Sequence, residues 1–353
     1  MIYAIVAIIG GAILFLIMRK KPTQTFTPVE APAKAPVEVP VETPVETIEF
    51  DGMKLPITEY KNSVYTNTRG DQTKTAILFG INECDPNVYQ GDTLRLRGCV
   101  NDVKALKTYL CNKAGYGKVF TFQDKQASIA NFLKVWREVV STAKDGDTIL
   151  LQMSRHGMSL GSNLLDKDTE FSGKDIDGNI VEGDQGAVMY DGVIVDDCFW
   201  RLFLELPKVK LIYLNDSCNS ASQYKLANLI LPGNESSYRK ARSVGKEYLP
   251  SKDNVLDLKQ LEREFPKSKK KQLFDLVSIS GCQDNETSSD AFLGGQFNGA
   301  MTYCLLGLLY RNQNVTPKEL KESLPTRLKV FNFSQNPQIN IEGSVDLWEK
   351  PLL

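Results

Sequence analysis

The sequence predicts an α/β fold in which a mostly parallel central sheet is flanked by helices and preceded by an N-terminal transmembrane helix. From about residue 74 onwards, short apolar runs of buried-strand type alternate with amphipathic helical patterns, as in parallel sheets that are covered on both faces. Residues 1–18 carry no charged side chain, and a helix of that length, at about 1.5 Å per residue, approaches the thickness of a bilayer core. The chain contains 42 Lys and Arg against 43 Asp and Glu, which argues against nucleic-acid binding through bulk charge.

Residues 1–21 are predicted to form an uncleaved transmembrane anchor. Arg19, Lys20 and Lys21 follow the apolar run, whereas a cleavable signal peptide, the alternative, carries its positive charge in front of that run. The basic flank predicts a single-pass membrane protein whose C-terminal bulk is cytoplasmic. Residues 22–50 are predicted to be a flexible linker, because the repeated Pro-Val-Glu in this segment favours extended polyproline II. A spacer is favoured over a partner-docking segment.

The elements of the globular part follow in order along residues 74–342. Buried strands are predicted at 75–81, 118–122, 147–154, 209–215 and 274–280. Helices are predicted from 101 or 102 to near 115, at 127–143, from 196 or 197 to 206, at 298–311 and at 316–324. Residues 223–272 are polar and interrupt this alternation, so we predict a surface insertion. Residues 343–353 are predicted to be a C-terminal tail.

Two chemically reactive side chains follow the ends of two predicted strands. The strand 147–154 leads to His156, the only histidine of the chain, and the strand 209–215 leads to Cys218. Because ligand sites form at the carboxyl ends of parallel strands, we expect the imidazole and the thiol to face each other. An imidazole raises the thiolate fraction of a neighbouring cysteine and then protonates a leaving amine, and Gly157 lets a backbone N–H approach an oxyanion. The spacing alone also allows structural roles for both side chains.

Six short segments occur in a fixed order in the globular part. They are 96–102 (LRGCVND), 154–157 (SRHG), 216–221 (DSCNSA), 280–291 (SGCQDNETSSDA), 299–303 (GAMTY) and 335–338 (QNPQ). Together they resemble the signature of the metacaspases, a family of caspase-like peptidases, over residues 74–342. The resemblance implies a caspase-hemoglobinase fold and a cysteine endopeptidase with a His156–Cys218 dyad that cleaves after Arg or Lys and uses no organic cofactor.

The resemblance also implies a specificity pocket for a basic P1 side chain. Asp102 and Asp216 would supply carboxylates and Ser154 a hydroxyl, because a basic side chain needs a carboxylate at the base of its pocket. The alternative roles are a helix N-cap for Asp102 and a strand-end turn for Asp216. Members of the family often cut themselves in flexible basic segments. The alternative for the basic segments of this chain is that they are solvated loops. The candidates for self-cleavage are Lys240, Arg242, Lys246 and 267–271.

Calcium activation is a further implication of the resemblance. Asp184, Asp196 and Asp197 correspond to acidic ligands of the family, and oxygen-rich clusters suit Ca²⁺. Lys225 stands where the family has a further aspartate. The alternative is that Asp196 and Asp197 cap a helix and that the other acidic residues lie in a solvated loop.

Two departures from the family pattern bear on activity. Arg155 replaces a glycine beside the histidine, and either narrows the cleft or lies outward, while Ala221 and Asn219 replace a glycine and a histidine after the thiol. We expect an active monomer that acts on protein or peptide substrates, contacts the membrane through its N-terminal helix and binds no nucleic acid. An inactive caspase-like scaffold or regulator is the main alternative, and a different thiol hydrolase or transferase is a weaker one.

Overall fold

The computed structural model describes the greater part of the chain in discrete ranges. They are residues 4–9, 12–17, 47–50, 53–56, 63–160, 172–174, 180–182, 185–217, 239–264, 271–282 and 288–353. Residues 1–44 and 45–353 form two compact units.

The predicted N-terminal transmembrane helix is wrong. The apolar run forms two antiparallel strands, β1 (Ala4–Ile9) and β2 (Ala12–Ile17). Gly10 and Gly11 separate them in the sequence, and a Gly-Gly pair is a common hairpin turn, whereas each glycine costs a helix about 1 kcal/mol. The Ile and Val side chains of this run also favour strands. Across the described residues, no helix has the length and apolar character needed to cross a bilayer.

The unit formed by residues 45–353 contains the remaining described strands and all described helices. The strands are β3 (Thr47–Phe50), β4 (Met53–Pro56), β5 (Val64–Thr66), β6 (Asp71–Gly80), β7 (Tyr116–Gln123), β8 (Thr148–Ser154), β9 (Gly157–Ser159), β10 (Ser172–Lys174), β11 (Ile180–Glu182), β12 (Gln185–Met189), β13 (Gly192–Val195), β14 (Lys210–Asp216), β15 (Arg239–Ala241), β16 (Ser243–Val244), β17 (Val255–Leu256), β18 (Asp275–Ser280), β19 (Ser289–Leu293), β20 (Gln296–Gly299) and β21 (Gln338–Glu342). The helices are α1 (Cys99–Asn112), α2 (Ile129–Thr142), α3 (Asp197–Phe203), α4 (Leu258–Glu264), α5 (Ala300–Arg311) and α6 (Pro317–Val330). Of the predicted linker, the described part is β3, which pairs with β4.

A sheet of seven described strands forms the centre of this unit, in the order β21-β18-β14-β8-β6-β7-β5. The five inner strands are parallel, and β21 and β5 pair antiparallel at the edges. Strands β6, β8 and β14 end at the same level, because Ser154 pairs with both Gly80 and Asp216. The prediction of a mixed α/β fold with a central, mostly parallel sheet is confirmed.

Helices cover both faces of the sheet. Successive residues of a strand point to opposite faces, so Leu78 and Phe79 of β6 belong to different cores. The core on the face of Phe79 includes residues of α2, α3 and α4, and the core on the face of Leu78 includes residues of α1, α5 and α6. Fully burying a large apolar side chain contributes about 1.5–3 kcal/mol, so both cores hold the strand ends, and the loops that follow them, in place.

Helix α1 begins earlier than the sequence predicts. Gly98 is its N-cap, and Asp102 lies inside the helix with its side chain buried. The alternative role of Asp102 as an N-cap is therefore wrong, and its carboxylate is directed into the site described below. Helix α6 is longer than predicted: Thr316 and Glu319 form a capping box at its start, and it continues through Pro325 to Val330.

The predicted surface insertion 223–272 is partly a structural element of the fold. Within its described part, β16 and β17 are the two edges of a second sheet with the order β16-β9-β12-β13-β17. Arg242 and Leu261 are fully buried. The predicted C-terminal tail also packs against the domain, since Leu347 and Leu352 are buried. The polar composition of these two segments predicted a surface loop and a tail. Composition alone does not show which side chains contact distant parts of the chain.

Candidate active site

The carboxyl ends of β8 and β14 lie side by side at one edge of the sheet. His156 follows Ser154 by two residues, and Cys218 follows Asp216 by two residues, while Ser154 and Asp216 pair in register. Cys218 itself lies outside the described residues. The structure thus places the segment that leads to the thiol next to the segment that carries the imidazole.

The ring of His156 is buried, and one hydrogen bond determines its tautomer. Its Nε2 lies 2.8 Å from the carbonyl oxygen of Leu94, and because a carbonyl only accepts, Nε2 must carry the proton. Nδ1 is buried and has no hydrogen-bond partner among the described residues. Burial, followed by the charge of Lys240, lowers the pKa of His156 to about 3, against the opposing effect of the Leu94 carbonyl. At neutral pH the ring is therefore neutral, with the lone pair of Nδ1 available to accept a proton.

The three side chains that the resemblance assigned to a specificity pocket lie together. Asp102 comes from α1, Ser154 from the end of β8 and Asp216 from the end of β14, and each is at most 1% exposed. The hydroxyl of Ser154 donates to Oδ2 of Asp102 over 3.0 Å. A guanidinium group of the same chain, that of Arg242, fills the space between the two carboxylates.

Arg242 makes charge-assisted contacts with both ends of its guanidinium. Nη2 lies 2.7 Å from Oδ2 of Asp102 and 3.2 Å from Oδ1 of Asp290. Nη1 donates to the carbonyl oxygen of Asp216 over 3.0 Å and lies 3.4 Å from Oδ2 of the same residue. Such contacts are strong where water is excluded, and the Arg242 side chain is 0% exposed. The guanidinium of Arg242 is therefore enclosed by carboxylates from three different parts of the chain.

Asp290 is a third pocket carboxylate that sequence reasoning did not assign. Besides Arg242, it accepts the backbone N–H groups of Arg97 and Gly98 over 2.9 and 2.8 Å. It thereby holds the start of α1, and with it Asp102, against β19. The residue is part of the 280–291 segment, so the motif match was the signal that could have identified it.

The remaining pocket wall comes from Ser288, Gly299 and Thr302. The hydroxyl of Ser288 donates to Asp216 Oδ1 over 2.6 Å, and the backbone N–H and hydroxyl of Thr302 donate to Asp216 Oδ2 over 3.0 and 2.7 Å. Gly299 donates its N–H to Asp102 Oδ1 over 2.9 Å, and a Cβ at this position would lie 2.6 Å from Nη1 of Arg242. Glycine is required at position 299 because any side chain would enter the space of the guanidinium.

The pocket carboxylates depend on the cation. Burial raises the pKa of Asp102 to about 7, although Arg242 acts in the opposite direction. Burial likewise raises the pKa of Asp290, again against the effect of Arg242. Without the guanidinium between them, the pKa values of both carboxyl groups would be higher still.

The backbone of Arg242 crosses the site between two sheets. Its N–H donates to the carbonyl oxygen of Ser288 over 3.0 Å, and its carbonyl oxygen accepts the N–H of Gly157 over 2.9 Å. The preceding strand β15 pairs antiparallel with β19, and the following strand β16 pairs parallel with β9. The carbonyl oxygen of Arg242 thus lies on the N–H group of Gly157, which the sequence predicts to contact the oxyanion.

Arg155 neither narrows the cleft nor lies outward. Its side chain is buried, with Nη1 donating to the carbonyl oxygen of His156 over 2.9 Å and Nη2 donating to Oδ1 of Asn215 over 3.3 Å. The guanidinium therefore braces the ends of β8 and β14 from inside the fold.

The predicted calcium ligands are only partly described. Asp196 directly precedes α3 and Asp197 begins it, whereas Asp184 and Lys225 lie outside the described residues. Burial lowers the pKa of Arg155, while Tyr213 and the carboxylate of Asp196 act in the opposite direction, so Asp196 lies near a buried cation. In the part of the chain that the structure describes, no group of three or more His, Cys, Asp or Glu side chains could hold a metal ion. Two adjacent carboxylates do not by themselves supply the six to eight oxygens, roughly, that Ca²⁺ takes.

A mostly parallel sheet with a histidine and a cysteine after neighbouring strand ends, next to a buried pocket, defines a caspase-like cysteine peptidase. The model of the caspase domain, peptidase family C14, matches residues 73–345. The chain belongs to this family, and its curated relatives are metacaspases.

Three comparisons illustrate the similarity. Metacaspase-1 of Ajellomyces capsulatus is 29% identical over 78% of this chain and 81% of its own length. Metacaspase-1A of Aspergillus fumigatus is 28% identical over 77% of this chain and 70% of its own. A crystal structure of a Geobacter sulfurreducens protein, with 22% sequence identity, matches 79% of this chain and 96% of that chain with a TM-score of 0.55. The last comparison supports the fold alone.

Proposed function

We propose that the chain is an endopeptidase that cleaves polypeptides after Arg or Lys through Cys218 and His156. One observation carries the proposal: a guanidinium group is completely buried between Asp102, Asp216 and Asp290, while the carbonyl of the same arginine accepts the N–H of Gly157. An acidic residue at P1 would place a fourth negative charge in this pocket, at a cost that no contact offsets.

The chemistry follows from the tautomer of His156. Nδ1 accepts the thiol proton of Cys218, and the thiolate attacks the carbonyl carbon of the P1 residue. The N–H of Gly157 stabilises the negative charge that develops on the carbonyl oxygen. Nδ1–H then protonates the leaving amine, and water hydrolyses the thioester that remains. Leu94 holds the ring in the orientation that this requires by accepting the Nε2–H.

The same observation supports self-processing and ranks the candidate sites. Arg242 occupies the pocket, and the bond between Arg242 and Ser243 follows the carbonyl that Gly157 contacts. The ammonium of Lys240 contacts the carbonyl of Arg95 instead. Arg242–Ser243 is therefore the proposed self-cleavage bond.

A peptide panel tests the activity on the full chain. Peptides with Arg, Lys or Asp at P1 are incubated with the protein in the presence of Ca²⁺ or of a chelator. We expect cleavage after Arg and Lys that is lost in Cys218→Ala and His156→Ala. Cleavage after Asp would contradict the pocket assignment, and equal rates with the chelator would contradict the predicted calcium activation.

Self-cleavage is tested by the new N-terminus that it creates. Intact mass and N-terminal sequencing should show a fragment that starts at Ser243, and Cys218→Ala should prevent its formation. Lys246→Gln is the matched control and should leave the fragment unchanged, whereas Arg242→Gln should abolish it. A fragment that starts at Glu247 would assign the cut to Lys246 instead.

A further inference from the structure

The segment that crosses the site carries a second basic side chain, besides that of Arg242, that contacts the domain. Lys240 lies two residues before Arg242, and alternation along a strand brings side chains two residues apart to the same side. The Nζ of Lys240 donates to the carbonyl oxygen of Arg95 over 2.6 Å. The backbone of Lys240 pairs with that of Asp290 in the antiparallel ladder between β15 and β19. The carbonyl that accepts from Lys240, that of Arg95, is not part of the P1 pocket.

We propose that the cleft contains a second basic subsite, which binds Lys or Arg at P3 through the carbonyl of Arg95, with the negative charges of Asp92 and Asp290 nearby. The inference rests on the proposed function, because it takes Arg242 to be a P1 residue. It implies that substrates carry the pattern basic–any–Arg in front of the cleaved bond, with Ala241 showing that a small P2 side chain is accepted.

The electrostatics of Lys240 agree with this geometry. Burial lowers the pKa of Lys240, and the two carboxylates that act against this effect are those of Asp92 and Asp290. A half-buried ammonium group that donates to a carbonyl and feels the charge of two carboxylates is bound more strongly than a neutral group of the same length. A glutamate in the same place would be repelled by both carboxylates.

The loop that forms the subsite is preorganised by its own hydrogen bonds. The carboxylate of Asp92 accepts the N–H of Leu94 over 2.7 Å, and Leu96 donates its N–H to the carbonyl of Asn82 over 2.7 Å. The neighbouring carbonyl of Leu94 accepts the Nε2–H of His156. One loop therefore orients the histidine and presents the carbonyl that binds P3, so the subsite needs little rearrangement before substrate binds.

Three peptides that differ only at P3 test the inference. They are acetyl-Xaa-Ala-Arg amides of a fluorescent amine with Lys, norleucine or Glu as Xaa, assayed on the full chain after self-processing is complete. Norleucine has the length of lysine without its nitrogen. We expect kcat/KM for the Lys peptide to exceed that for the norleucine peptide about tenfold, the equivalent of about one charge-assisted hydrogen bond. The Glu peptide should be cleaved more slowly than both.

Asp92→Asn tests the contribution of the carboxylate, because the amide oxygen of Asn can still accept the N–H of Leu94. We expect this variant to reduce the ratio of Lys to norleucine severalfold, while Asp253→Asn, the control at another exposed acid, leaves the ratio unchanged. Equal cleavage of the Lys and norleucine peptides would overturn the subsite but leave the proposed function standing. Failure to cleave any of the three peptides would overturn the proposed function itself.

Discussion

Replacing Arg242 by methionine in a Cys218→Ala background is the most direct test of the buried charge cluster. The background substitution removes the proposed nucleophile, so the proposed self-cleavage cannot change the chain during the measurement. Methionine fills much of the space of the arginine side chain but lacks the guanidinium that contacts Asp102, Asp216 and Asp290. The three carboxylates then remain buried without a counter-ion.

The expected loss is about 3–5 kcal/mol of the free energy of unfolding at pH 8, the range found when one partner of a buried ion pair is removed. The loss should depend on pH. A carboxyl group whose pKa is higher in the folded than in the unfolded state destabilises the fold at high pH. This penalty begins to decrease as the pH falls through the folded-state pKa and is gone only below the unfolded-state pKa. Asp102 already has a pKa of about 7 with the guanidinium present, and without it the value is higher still. The loss should therefore be smaller by about 1–2 kcal/mol at pH 5.5, since one pKa unit corresponds to about 1.4 kcal/mol.

Urea denaturation followed by circular dichroism at pH 8 and pH 5.5 measures both quantities. Arg311→Met, at an exposed arginine of α5, is the matched control and should change the stability by less than about 0.5 kcal/mol. A loss below about 1 kcal/mol, or the same loss at both pH values, would refute the reasoning.

Three further substitutions test other parts of the site and its support. Gly299→Ala should lower kcat/KM for Arg peptides more than about tenfold and destabilise the fold by about 2 kcal/mol. The new methyl group overlaps the position of the Arg242 guanidinium and the carboxylate of Asp216. Wild-type rates and stability would contradict the placement of Gly299 in the pocket wall. Wild-type stability should fall between pH 7 and pH 5, because His156 has a folded-state pKa of about 3 whereas the unfolded chain takes up a proton below about pH 6.5. His156→Gln should make this fall smaller by about 2 kcal/mol. The same fall in urea denaturation of both proteins would contradict the prediction. Trp136→Ala should lower the free energy of unfolding by about 3–5 kcal/mol, because this side chain is 0% exposed in the core that includes α2. Thermal and urea denaturation measure the loss. A loss below about 1 kcal/mol would show that the core relaxes around the missing side chain.

The sequence by itself determined the central architecture and the location of the chemistry. Apolar runs alternate with amphipathic helices because strands of a parallel sheet are buried on both faces, and this pattern is local enough to read from neighbouring residues. Ser154 and Asp216 could be placed at one sheet edge for the same reason, since parallel strands bring their carboxyl ends together. His156 and Cys218 follow these ends, so the candidate dyad did not need the tertiary structure to be proposed.

Local hydrophobicity was not sufficient at the N-terminus. An apolar run satisfies the composition of a transmembrane helix and of two strands equally well, and the composition does not show the pairing between β1 and β2. Composition also failed for residues 239–264, where a polar segment contains the fully buried Arg242. Its burial depends on partners that the polar pattern does not reveal.

Only the tertiary structure decided what fills the acidic pocket and which residues complete it. Arg242 meets Asp102 across 140 positions of the chain, and Gly299 meets Asp102 across 197, so no local pattern could show these contacts. Asp290 and Gly299 were visible as motif residues, but their roles became clear only when the strands that carry them were placed around one guanidinium. The periodicity of a sequence shows which face of a helix or strand is buried. Which residues pack against that face depends on contacts between distant parts of the chain, and here those contacts place Arg242 between the carboxylates.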